Sequence, residues 1–135
     1  MRFLITCILC GFISIAHASQ CSMGSVTDSR MYLASYYHSQ AATAFNIQCD
    51  RAYNITFSST NLQNINGLSF VSNGPYKLKT QLTVSGPVEN KWNVPLTARG
   101  TGSDKYIIAV HLEEQPSIQV PAGIYRDTVY VNLAF

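Results

Sequence analysis

Charged residues are scarce. Asp, Glu, Lys and Arg make up 12% of the 135 residues, nine basic against seven acidic, for a formal net charge of +2. With so weak a field and no basic run to concentrate it, the chain is excluded as a binder of nucleic-acid phosphates. A disordered chain is also excluded, because 47% of the residues are hydrophobic, enough to build a core. Long apolar runs are lacking, and none reaches the length that spans a bilayer. No long window carries apolar residues at helical spacing. The length fits one domain.

The N-terminus reads Met1-Arg2, an apolar stretch from Phe3 to Ile15, then Ala16-His17-Ala18. One basic residue, a short hydrophobic segment and small side chains at the −3 and −1 positions form a secretory signal, with cleavage expected after Ala18. The apolar segment is too short for a retained anchor. A lipoprotein is disfavoured because Gln20 precedes Cys21, where a small residue is wanted. Residues 1–18 are thus read as a signal peptide and 19–135 as a single domain. Arg2, Cys7 and Cys10 leave with the signal, and no transmembrane segment remains. Cys21 and Cys49 stay behind in an oxidising compartment, where they are expected to pair. Such a bridge stabilises the fold by about 3–4 kcal/mol in the chain-entropy view. Neither cysteine sits in a Cys-x-x-Cys, which weighs against a redox or metal-binding thiol.

The mature chain has a period of two. Phe45, Ile47 and Cys49 share one face of a first run; Tyr53, Ile55 and Phe57 one face of a second. Tyr76, Leu78, Thr80, Leu82 and Val84 alternate with Lys77, Lys79, Gln81 and Thr83. The run Tyr106–Leu112 is more continuous, as in a strand buried on both sides or central in a sheet. Val129, Val131, Leu133 and Phe135 alternate with Tyr130, Asn132 and Ala134. Turn chemistry separates these runs at Asn66-Gly67, Asn73-Gly74-Pro75, Ser85-Gly86-Pro87, Gly100-Thr101-Gly102 and Pro121-Ala122-Gly123. Six or seven short strands on this spacing predict an all-β, immunoglobulin-like antiparallel sandwich.

Catalytic constellations are missing. The mature chain has two histidines, His38 in a polar stretch and His111 inside a strand pattern, and no Gly-x-Ser-x-Gly elbow. Glu113-Glu114 reads as a loop or strand end, and the acids and histidines show no metal-ligand spacing. No cofactor, metal or enzymatic activity is expected. Asn54-Ile55-Thr56 fits a glycosylation pattern but falls inside a strand and reads as chance. Trp92 and eight tyrosines offer flat faces for sugar rings, with Tyr32, Tyr36 and Tyr37 the best candidates. Against that stands the liking of tyrosine for half-buried strands.

The segment Pro121-Ala122-Gly123-Ile124-Tyr125-Arg126-Asp127-Thr128-Val129, followed by alternating apolar residues up to Phe135, resembles the C-terminal signature of the spore coat protein U family. These are the pilin-like subunits of archaic chaperone–usher pili. Cys21 and Cys49 match that family's disulfide across its first two strands. Gln48-Cys49-Asp50 leading into Tyr53–Phe57 looks like its second strand and turn. Pro75-Tyr76-Lys77-Leu78 resembles its Tyr-x-Leu strand, and Trp92 falls where a tryptophan often follows.

The resemblance implies an incomplete sandwich that lacks its last strand, with an apolar groove beside the final one. A periplasmic chaperone would lend a strand to that groove, and other pilus subunits would replace it at an outer-membrane usher. Val129, Val131, Leu133 and Phe135 would set the register of chaperone and donor strand, and a terminal carboxylate would meet basic chaperone residues. The implied course is export, passage through the periplasm, and a place in a surface pilus or outside the cell. Two departures stand out. Only Ser19-Gln20 precede Cys21, where family members carry a donor extension. The family's Phe-Gly-x-Tyr segment is replaced by Tyr32-Leu33-Ala34-Ser35-Tyr36-Tyr37. A subunit that accepts but does not donate would sit at a fibre tip. The alternative function is a free-standing periplasmic or secreted sandwich that binds carbohydrate.

The export reading is checked by non-reducing mass analysis of secreted or periplasmic protein. The expected species is a monomer starting at Ser19 with Cys21 bonded to Cys49; free thiols in the folded protein would contradict it.

Overall fold

The computed structural model describes residues 21–24, 26–27, 29–100 and 102–135. The signal peptide expected at residues 1–18 lies outside them. The elements are β1 (Cys21–Met23), β2 (Gln40–Cys49), β3 (Tyr53–Ser59), β4 (Leu68–Asn73), β5 (Tyr76–Ser85), β6 (Leu96–Ala98), β7 (Gly102–Leu112) and β8 (Val129–Ala134). A five-stranded sheet runs in the order β1-β2-β7-β5-β4, and a three-stranded sheet in the order β6-β3-β8. Every strand pairing is antiparallel. The arrangement is the expected all-β, pilin-like incomplete sandwich, with eight strands described where six or seven were expected.

Period-two sequence explains the layering. Successive side chains of a strand point to opposite faces, so Phe45 and Ile47 of β2, Leu82 and Val84 of β5, and Tyr106, Ile108 and Val110 of β7 point inward together. Tyr53, Ile55 and Phe57 of β3 answer from the other sheet, with Leu96 and Ala98 of β6. Trp92, in the segment before β6, is fully buried and has its ring centroid 5.9 Å from that of Phe57. Phe45 stacks on Tyr106 at 5.5 Å, and Phe57 tilts against Tyr106 at 5.8 Å. Offset and tilted aromatic pairs of this kind add to the stabilisation from area alone.

β7 takes the second of the two readings that its run allowed. It is central in its sheet, paired with β2 and β5, but it is not buried on both sides. Tyr106, Ile108, Val110 and Leu112 are buried, whereas Ile107 on the other face is 38% exposed. The continuous apolar run reflects the β-branched preference of a central strand, not a second buried layer.

Two turns show why particular residues stand where they do. Gly74-Pro75 closes the β4–β5 hairpin, with Gly74 at φ 59°. A positive φ followed by proline suits the II′ turns whose twist matches the strands. Gly67 has φ 88°, and a Cβ there would collide with the Leu82 carbonyl and the Trp92 indole nitrogen. Its bareness lets the loop before β4 lie flat on β5, where the Leu82 N–H donates to Gly67 O at 2.8 Å.

One polar bridge crosses the core. The Tyr53 hydroxyl donates to Asp104 Oδ2 at 2.7 Å and shares a 2.7 Å hydrogen bond with the Tyr106 hydroxyl. Burial, then the contacts with Tyr106 and Asp104, push the Tyr53 hydroxyl well above the ordinary tyrosine pKa; burial also raises Tyr106. Both stay protonated in the folded protein while the unfolded chain ionises at about pH 10. The stability they contribute is therefore complete below pH 10 and is lost as pH rises from there towards the folded values. Urea unfolding as a function of pH is expected to show a plateau below pH 10 and a steep loss above it. Tyr53→Phe should lower stability at neutral pH by about 1–3 kcal/mol and flatten the alkaline slope. An unchanged slope in that variant would contradict the assignment.

Candidate functional site

β8 ends its sheet. One of its edges pairs with β3, and no strand lies along the other among the described residues. The register sets Val129 opposite Ser59, Val131 opposite Phe57 and Leu133 opposite Ile55. Thr60 N–H donates to Thr128 O at 2.9 Å. In an antiparallel ladder the bonded pairs alternate, so Tyr130, Asn132 and Ala134 turn their backbone groups to β3. Val129, Val131 and Leu133 turn theirs to the open edge. The same alternation carries β3 to its other neighbour, where Phe57 O accepts the Asn93 N–H at 2.6 Å.

The side chains of these three residues face the core yet are only half-buried. Their partners on β3, Ile55 and Phe57, are fully buried. The contrast is one of neighbours: β3 has a strand on each side, β8 on one. Phe135 lies just past β8 and is 58% exposed. The structure thus brings Val129, Val131 and Leu133 onto one edge and places Phe135 beyond it.

The signature ahead of β8 has a mechanical role that the sequence pattern alone does not disclose. Asp127 Oδ2 accepts the Ser69 hydroxyl at 2.8 Å, and Oδ1 accepts the N–H groups of Asn61 at 3.1 Å and Thr128 at 2.8 Å. Ser69 is buried and also meets the Ser59 hydroxyl at 3.1 Å. Asn61 Nδ2 donates to the carbonyls of Phe70 and Arg126. Arg126 and Ser72 exchange both backbone hydrogen bonds, each at 2.9 Å. One carboxylate therefore ties the start of β8 to β4 and to the loop between β3 and β4, and through Ser69 to Ser59 of β3. At the other end of the topology, Cys21 and Cys49 are partners in the β1–β2 register, with Cα atoms 4.2 Å apart, and are joined by a disulfide.

The tyrosines singled out from the sequence are on a loop, not on half-buried strands. Tyr32, Tyr36 and Tyr37 are all exposed. The loop is ordered by the Ser39 hydroxyl donating to Ala34 O at 2.7 Å and by His38 N–H donating to Leu112 O at 3.2 Å. His38 has φ 66°, and its ring is tilted against that of Tyr37, with centroids 3.6 Å apart. His111 stands in β7, two residues before Glu113-Glu114, and these side chains do not gather as a metal site. Asn54, of the glycosylation pattern, lies in β3 and accepts the Thr97 hydroxyl. Among the described residues no three of His, Cys, Asp and Glu gather as a metal site, and no helix is long and apolar enough to cross a membrane.

No protein-family model matches the chain, and no curated protein matches it. Its fold is similar to that of a chain in the crystal structure of the CsuC–CsuE chaperone–tip adhesion subunit pre-assembly complex, from the archaic chaperone–usher Csu pili of Acinetobacter baumannii. The TM-score is 0.57 at 16% sequence identity, and the likeness covers 87% of this chain and 40% of that one. At this identity the likeness is one of fold.

The inward and outward faces of β8 can be separated by charge. Val131→Asp places a carboxylate against the core and is expected to lower stability by about 1–3 kcal/mol, while Asn132→Asp on the exposed face should stay within about 0.5 kcal/mol. Equal losses in urea unfolding would show that the two faces are not as assigned.

Proposed function

We propose that the chain is a non-enzymatic structural subunit of a chaperone–usher type pilus, completed by a β-strand from another protein. One observation carries the reading: Val129, Val131 and Leu133 present unpaired backbone groups and half-covered apolar side chains along a single edge. An added strand satisfies both needs at once. Its backbone bonds supply affinity, and its alternate side chains supply register. Covering each half-buried side chain contributes about 1 kcal/mol. The fold likeness to a chain from the Csu chaperone–subunit complex and the C-terminal signature support the same reading.

The strand would come first from a periplasmic chaperone and then, at an outer-membrane usher, from another subunit. The course runs from export through the periplasm to a surface pilus, with a role in adhesion or biofilm. With cleavage after Ala18, only Ser19-Gln20 would stand ahead of β1, and the reading extends to a strand-accepting position at the fibre tip. Residues 19–135 would then act as one domain, with the Cys21–Cys49 bridge holding β1 on β2.

Thermal unfolding with synthetic strand peptides tests this. A peptide with apolar residues at alternate positions, at a hundredfold excess over its Kd, should raise Tm by about 10 °C, since it binds the folded state alone. A scrambled peptide of the same composition should do nothing. A protein that is fully stable and ignores every such peptide would be a complete sandwich, and the reading would fall.

A further inference from the structure

A second feature lies away from β8, on the outer face of the five-stranded sheet. Where β4 pairs with β5, a surface cavity of about 310 Å³ is lined by Gln63, Leu68, Phe70, Lys77, Lys79 and Glu114. Its size is at the low end of the range for small-molecule sites.

The lining combines groups of opposite character. Lys77 Nζ sits 4.5 Å from the centre of the Phe70 ring, which holds the ammonium in place by cation–π attraction. Lys79 stands opposite Phe70 in the strand register. Neither lysine has a carboxylate within ion-pair distance among the described residues. Glu114 is fixed on the rim, where its Oε1 accepts the Lys79 N–H at 2.6 Å, leaving its second oxygen as an acceptor. The Gln63 amide donates to Asn61 O at 3.0 Å, which leaves its carbonyl oxygen as another.

These groups select among ligand classes. A bare phosphate would meet the lysines but leave the apolar faces of Leu68 and Phe70 and the acceptors of Glu114 and Gln63 unused. A neutral sugar would leave the two ammonium groups without a counter-charge. A peptide would find little free backbone: β4 pairs with β5 on one side, and on its outer edge Leu68 O, Phe70 O and the Ser72 backbone groups are taken by Gln63, Asn61 and Arg126. A sugar ring bearing a carboxylate satisfies every group: anion to the lysines, hydroxyls to Glu114 and Gln63, apolar ring face to Leu68 and Phe70.

We infer that this cavity binds a carboxylated saccharide, of the uronate class, with Lys77 and Lys79 holding the carboxylate and Glu114 accepting a ring hydroxyl. The site stands independently of strand acceptance at β8. Isothermal titration of the whole protein with oligogalacturonate, and with the same oligomer methyl-esterified, reads it directly. The acid form should bind, more weakly as salt is raised. Esterification, and Lys77→Gln with Lys79→Gln together, should each weaken binding by about tenfold or more. Both lysines are exposed, so the double variant should keep its melting temperature, which separates lost binding from lost fold. Three results would overturn the inference: equal affinity for the ester, undiminished binding by the double lysine variant, or binding of phosphatidylglycerol vesicles or polyglutamate in place of the oligouronate.

Discussion

A backbone amide or carbonyl that borders an apolar core needs a partner, and among the described residues β8 pairs with a strand along one edge only. The rest of the architecture is arranged around that gap. β3, with β6 on one side and β8 on the other, buries Ile55 and Phe57 completely. One strand further out, Val129, Val131 and Leu133 have the same inward aim and the same alternation but half the cover. An exposed edge of this kind invites pairing with another chain. Here the pairing groups and the under-covered side chains belong to the same three residues.

The gap is flanked by rigid elements. Asp127 collects three hydrogen bonds from Ser69, Asn61 and Thr128 and so fixes where β8 begins. The disulfide fixes β1 on β2 at the far end of the other sheet. The aromatic block of Phe45, Phe57, Trp92 and Tyr106 fills the centre without drawing on β8. If β8 receives a strand as proposed, an edge held in place loses little conformational freedom on binding, which favours affinity. The lysine-lined cavity on the outer face uses a different part of the same frame, the β4–β5 hairpin, and leaves the open edge free.

Strands with clean alternation were legible in the sequence: β2, β3, β5 and β8 carry apolar residues on one face and polar residues on the other. β7 was legible as a buried or central strand; it is the central one, and its run did not mean two buried faces, because Ile107 faces outward. β4 was hidden because its pattern is inverted. Ser69 points inward to a carboxylate, and Phe70 lies outward against Lys77, so polarity misreports the faces. β1 and β6 have three residues each, too few for a period to show. The tyrosine loop was legible as a cluster but not as a loop, since its order comes from the Ser39 and His38 hydrogen bonds rather than from spacing. The apolar register of β8 was visible from alternation; the bracing of Asp127 was not, because its partners come from residues 61 and 69, far off in sequence.

The central claim is that the outer edge of β8 is open and is completed by another strand. Residue-resolved amide hydrogen exchange measures this on the free protein. The N–H groups of Val129, Val131 and Leu133 should exchange rapidly while those of Tyr130 and Asn132, bonded to β3, are protected. Adding a complementary strand peptide should protect the first three and leave the other two as they were. Protection of Val129, Val131 and Leu133 in the free monomer, equal to that of Tyr130 and Asn132, would mean that the edge is already filled and would contradict the account.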